Sequence, residues 1–132
     1  MSADDPRYGD EVRRRMGSLA GAGGWAPADD VLIASAGDRE QGAEVQLSVR
    51  LVADRAAALR FRAFGCPHLL AAASWITDRL RGSGRSDLAT WDWHEAAEAL
   101  EVPPAKYGRL LILQDAVHGL ARNWPDETGS TV

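Results

Sequence analysis

The chain has a single cysteine, Cys66, among its 132 residues. One thiol excludes an intrachain disulfide framework and every metal site that draws several thiolates from one chain. No apolar run approaches the length needed to cross a bilayer, although 45% of the residues are hydrophobic, so a soluble protein is expected. The opening Met1-Ser2-Ala3-Asp4-Asp5 lacks the basic and apolar regions of a secretory leader. A basic excess is missing too: net charge is -4, which argues against a nucleic-acid binder, and Arg13-Arg14-Arg15 is too short a run to change that. No nucleotide loop, nucleophile elbow, paired-carboxylate motif or metalloprotease motif occurs. These absences point to a reducing cytoplasm and to a protein that is not an enzyme.

The length fits one domain over 1–132, with 1–6 and 125–132 expected as flexible tails. Residues 7–17 suit a short helix with Tyr8, Val12 and Met16 on one face, broken by the glycine-rich stretch 17–24. Val31-Leu32-Ile33-Ala34 reads as a first strand, followed by a polar loop over 37–42. Val45, Leu47, Val49 and Leu51 alternate with polar residues, the mark of a half-buried strand. Ala53-Asp54-Arg55 turns the chain into Leu59-Arg60-Phe61-Arg62-Ala63-Phe64, a second alternating strand, so the two form an antiparallel hairpin.

At Cys66 the hydrophobic period changes. Leu69, Ala73, Ile76 and Leu80 recur at helical spacing, and this helix should stop near Gly82-Ser83-Gly84. Asp92 and Glu95 have the spacing of a capping box before Ala96, Ala97 and Leu100. Pro103-Pro104 opens a last helix carrying Leu110, Leu113, Val117 and Leu120, closed by Trp124-Pro125. Strands first and helices second predict an α+β domain: a small antiparallel sheet of about three strands, covered by the helices after Cys66, Asp92 and Pro103. The five tryptophans are many for this length, and Trp91 and Trp93, closing a helix start, fit a core better than an interface.

Gly65 permits a sharp turn and Pro67 suits a first helical position, so Cys66 sits at the mouth of a helix. Free amides and the helix dipole would stabilise a thiolate there. Equally, a lone cysteine is a small buried hydrophobe. A zinc site is conceivable on Cys66, Asp38 and Glu40, less so with His68, which could point outward; Asp38 and Glu40 also suit a solvated turn. His94 and His118 read as surface or interface residues.

Two segments carry a resemblance. Phe61 to Ser74, FRAFGCPHLLAAAS, resembles the strand, F-x-x-x-G-C turn and Ala/Ser-rich helix of the IscU/NifU N-terminal-domain family of iron–sulfur cluster assembly scaffold proteins. Glu101 to Ala116, EVPPAKYGRLLILQDA, is similar to that family's L-P-P-V-K-x-H-C-S-x-L-A-x-D-A segment at Pro103, Pro104, Lys106, Leu111, Asp115 and Ala116. The order of elements agrees from about residue 7 to 122.

The resemblance implies an IscU/NifU-N-like fold and work in iron–sulfur cluster biogenesis, with a cysteine desulfurase and an Hsp70-type chaperone as partners; apart from the resemblance, a homodimer is a further arrangement open to the chain. It implies that Val102-Pro103-Pro104-Ala105-Lys106 stands for the chaperone-recognition motif, although a proline helix start explains both prolines as well.

It also implies a degenerate ligand set. The family's first cysteine falls at Gln41, with Ala43 replacing an aspartate. Its third falls at Arg109, with Gly108 replacing a histidine. Only Cys66 remains as a metal- or sulfur-binding candidate. Clusters are usually held by four thiolates, so a cluster here needs extra ligands from another chain or a small thiol. Arg109 either faces Cys66 and stabilises its anion or is an exposed helix arginine. Three functions stay open: a degenerate cluster scaffold, a metal-free sulfur-acceptor or redox thiol protein using Cys66, and a pure adaptor or regulator on the same fold.

Overall fold

Period-two alternation places one row of each strand against the helices, and the structure, a computed structural model that describes residues 9–125, has that arrangement. Strands β1 (Val31–Asp38), β2 (Ala43–Val52) and β3 (Arg55–Phe64) form one antiparallel sheet in the order β1-β2-β3. Register pairs Leu47 with Ala34 and Phe61, so Leu32, Ala34, Val45, Leu47, Val49, Leu59 and Phe61 share the inner face. The expected first strand runs four residues past Ala34, because Ser35 to Asp38 stay paired with Ala43 to Gln46. What remains of the predicted loop is one 3-10 turn, Arg39–Gln41, closed by Gly42 at φ 87.

Helices α1 (Asp10–Ser18), α2 (Pro67–Arg79), α3 (Arg85–Ala89), α4 (His94–Ala99) and α5 (Tyr107–Asn123) complete the domain. Of the covering helices, α2 lies on β3 and α5 on β1 and β2, whereas α4 packs on α2 and α5. The short α3, absent from the sequence reading, packs on α5 through the fully buried Leu88. Tyr8 and the expected tail 1–6 lie outside the described residues, as do residues 126–132.

Two local expectations are corrected. Asp92 accepts the His94 N–H at 2.7 Å, which with the His94 side chain holds its carboxyl below the usual range, but Glu95 does not complete a capping box. Its carboxylate is taken by the indole N–H of buried Trp91 at 2.9 Å and by Arg79 at 2.8 Å. Pro104 opens a 3-10 turn, Pro104–Lys106, and the α-helix begins only at Tyr107.

The basic run contains a structural residue. Arg15 is 8% exposed, bonding Asp78 of α2 at 2.7 Å and Glu11 at 3.0 Å, and so ties α1 to α2. Beyond α1 the chain borders the free edge of β3: Gly23 N–H donates to Phe61 O at 2.8 Å and Phe61 N–H to Gly21 O at 2.9 Å. Gly21 has φ +91, and a Cβ there would collide with Thr77. Trp25 then reaches the outer face, under the guanidinium groups of Arg50 and Arg60.

Candidate functional site

Strand direction gathers the candidate residues at one end of the sheet. β1 ends and β2 begins around the Arg39–Gln41 turn, and β3 ends at Phe64, paired with Glu44, so the Gly65-Cys66 turn adjoins Gly42-Ala43. A Cβ on Gly65 (φ +153) would lie 3.3 Å from Gly42 O and 3.0 Å from a Leu69 methyl. That crowding and the positive φ both call for glycine. At the far end of the sheet, the Trp124 indole donates to Asp54 in the β2–β3 turn at 2.8 Å. A Cβ on Gly119 would stand 3.0 Å from that of Ala34. α5 therefore runs back along the sheet, and its start, with the N-cap Lys106 and Arg109, returns to the Cys66 end, where the Lys106 charge acts on His68.

Cys66 is the N-cap of α2, its carbonyl accepting from Leu69 at 3.0 Å and Leu70 at 3.1 Å. The residue is half-buried, and its thiol takes no hydrogen bond from the helix. The dipole acts on it, but no amide caps it. Arg109 is half-buried rather than exposed, and its Nε is shut from solvent with no hydrogen-bond partner among the described residues. Gln41 is exposed, Ala43 is 2% exposed, and a Cβ on exposed Gly108 would meet nothing within 4 Å. The structure thus gathers the turns bearing Gln41 and Cys66 and the start of α5, with Arg109, at one end. Among the described residues no three His, Cys, Asp or Glu side chains form a metal-binding group, so Cys66, Asp38 and Glu40 are not assembled for zinc. In the segment 102–106, Val102 is buried and holds the turn, leaving Pro103, Pro104 and Ala105 exposed and Lys106 half-buried.

His68 corrects the expectation of a surface histidine: it is 3% exposed. Burial, and secondarily the Lys106 charge, hold its pKa below the ordinary value and keep the ring neutral. Its position was hidden because α2 buries more than one face, including Ser74 and Thr77, so spacing alone gives no outward side. His94 is exposed and stacks on Trp93, but His118 is half-buried, its Nε2 2.8 Å from Trp91 O. Because the folded pKa of His68 is depressed, the unfolded chain binds the proton first as pH falls. The stability tied to the neutral ring is then complete above the unfolded pKa of about 6.5 and declines below it. Urea midpoints at about pH 7.5 and about pH 5.5 should differ more in the native protein than in His68→Gln; equal differences would remove the buried imidazole as the cause.

A small three-stranded antiparallel sheet covered on one face by helices, with the Gly42 and Cys66 turns and the start of α5 at one end, is an α+β fold. The family model described as NifU-like N terminal domain matches residues 7–129, and the chain belongs to this family. It is 28% identical over 72 residues to an iron–sulfur cluster assembly protein 1 of Arabidopsis thaliana, covering 54% of this chain and 43% of that protein. To an iron sulfur cluster assembly protein 1 of Trachipleistophora hominis it is 26% identical over 102 residues, 77% of this chain and 74% of that one. The chain thus spans less than half of the first of these relatives. Two crystal structures share the fold. A putative iron–sulfur cluster assembly scaffold protein for the SUF system from Fervidobacterium islandicum AW-1 has a TM-score of 0.67 at 13% identity, over 86% of this chain and 96% of that chain. A nitrogen-fixing NifU-like protein (N-terminal) from Brucella abortus has a TM-score of 0.66 at 15% identity, over 87% and 92%.

Proposed function

We propose that this chain works in iron–sulfur cluster biogenesis on the scaffold fold, and that it receives sulfur at Cys66 instead of holding a cluster on its own ligands. The observation behind this is the composition of the Cys66 end of the sheet: one half-buried thiol, and an arginine whose Nε is buried without a partner among the described residues where the family has a further thiolate. A guanidinium cannot ligate iron, but it favours an anion beside it. In the transfer, the Cys66 thiolate attacks the outer sulfur of a donor persulfide. A new S–S bond forms on Cys66, the donor's S–S bond breaks, and the donor leaves as a thiolate. The chain is a carrier in this scheme and catalyses nothing. A cysteine desulfurase is the fitting donor, and the exposed Pro103-Pro104-Ala105 segment is available to an Hsp70-type chaperone. A reducing cytoplasm keeps the lone thiol free.

The test is anaerobic incubation with glutathione persulfide followed by intact-mass and peptide mass spectrometry. A gain of one sulfur atom on Cys66 is expected, decaying severalfold faster in Arg109→Ala and absent in Cys66→Ala. No adduct on the native protein would overturn the acceptor reading and favour an adaptor. An adduct indifferent to Arg109→Ala would remove the arginine from the site.

A further inference from the structure

The sheet face turned away from the helices carries a charge opposite to that of the chain. Register places Ser35, Gln46 and Arg62 in one row across the three strands, with Arg60 opposite Ser48 and Phe64 opposite Glu44 in the neighbouring rows. Arg39, Arg50, Arg60 and Arg62 are all exposed. Arg39 bonds Glu44 at 3.1 Å and lies over the Phe64 ring at 5.0 Å. Arg50 and Arg60 lie over Trp25 at 5.1 and 4.5 Å, and Arg50 also stands 3.8 Å from Asp30. Among the described residues no carboxylate pairs with Arg60 or Arg62. Ser35, Arg39, Glu44, Gln46, Arg62 and Phe64 line a shallow cleft of about 240 Å³ that opens on this face. Phe64, 43% exposed, is two residues from Cys66.

We infer that the exposed part of this outer sheet face docks an acidic segment of a partner protein, with carboxylates on Arg60 and Arg62 and an apolar side chain on Phe64. Charge complementarity supports that occupant. Exposed guanidinium groups without an ion pair are suited to bidentate carboxylates, and stacking on Trp25 restricts Arg60 before any partner arrives. A nucleic acid is the poorer fit, since the face offers four arginines on a chain of net charge -4 and a polyanion would meet repulsion beyond it. The surface would bring a partner to the rim of the Cys66 turn, yet its binding involves no thiol, so it stands or falls apart from the sulfur-acceptor reading.

The probe is a fluorescein-labelled peptide of alternating glutamate and alanine with one leucine, titrated in low salt and followed by anisotropy. Saturable binding is expected. Arg60→Glu/Arg62→Glu should weaken it about tenfold, and Arg62→Glu alone by part of that. Added salt should weaken it as well. Arg122→Glu, on the helical side, should leave it unchanged, with all variants melting like the native protein. The proposal is overturned if the peptide does not bind, if the two sheet-face variants bind it as the native protein does, if Arg122→Glu weakens it equally, or if a single-stranded oligonucleotide of matched charge binds more tightly.

Discussion

Reconstituted anaerobically with iron and sulfide and no small thiol, the native monomer will remain without visible charge-transfer bands, whereas Gln41→Cys/Gly108→His/Arg109→Cys will acquire them. The native site offers one thiolate where a cluster usually takes four. The variant supplies three thiolates and an imidazole from two turns and the start of α5, which the fold already gathers. Gly65 sits against Gly42, so Cys66 and a cysteine at 41 are carried by adjacent turns, and the first turn of α5 returns to the same end. Each replacement is sterically mild: Gln41 is exposed, Gly108 has open space, and replacing Arg109 removes a positive charge together with a buried, unpartnered Nε. Ala43 is left alone because it is 2% exposed, and a carboxylate there would be desolvated. A stoichiometric chromophore on the native monomer would refute the ligand count, and a colourless variant would refute the convergence of the two turns with the start of α5.

Leu69→Ala will cost about 2–5 kcal/mol of stability, read as a fall in the urea midpoint at unchanged slope. Leu69 is fully buried, and its methyl lies directly under the Gly65 turn, so truncation opens a cavity beneath Cys66 as well as removing core contact. The same variant should therefore alkylate faster at Cys66 in the absence of denaturant. A loss below about 1 kcal/mol would mean that the turn is not supported by this side chain.

How much of this could be read in the sequence depended on whether the signal was local. The hairpin was legible because Val45, Leu47, Val49 and Leu51 alternate against polar neighbours, and the α2 start because Gly65 and Pro67 each have one conformational use. The family resemblance came from the same turn and from Pro103 to Ala116. Residues whose position depends on distant partners were not legible. Arg15 was legible only as part of a short basic run, yet Asp78, distant in sequence, draws it into the structure. Glu95 stood at capping-box spacing, but Trp91 and Arg79 compete for its oxygens. The cationic sheet face was visible only as the polar half of an alternation. Its meaning depends on register between strands, which brings Arg62 of β3 beside Gln46 of β2 and Ser35 of β1.

The bonds that Gly21 and Gly23 make to Phe61 bear on how the protein behaves at high concentration. A sheet of only three strands has two long borders, and an open border is a template on which another chain can polymerise. Here the segment after α1 occupies the N–H and C=O of Phe61 midway along β3, and it can lie that close because position 21 carries no side chain to strike Thr77. A bulkier residue at 21 would therefore do more than strain a turn. It would lift a seal from the β3 border and leave the N–H and C=O of Phe61 open to pairing with another chain.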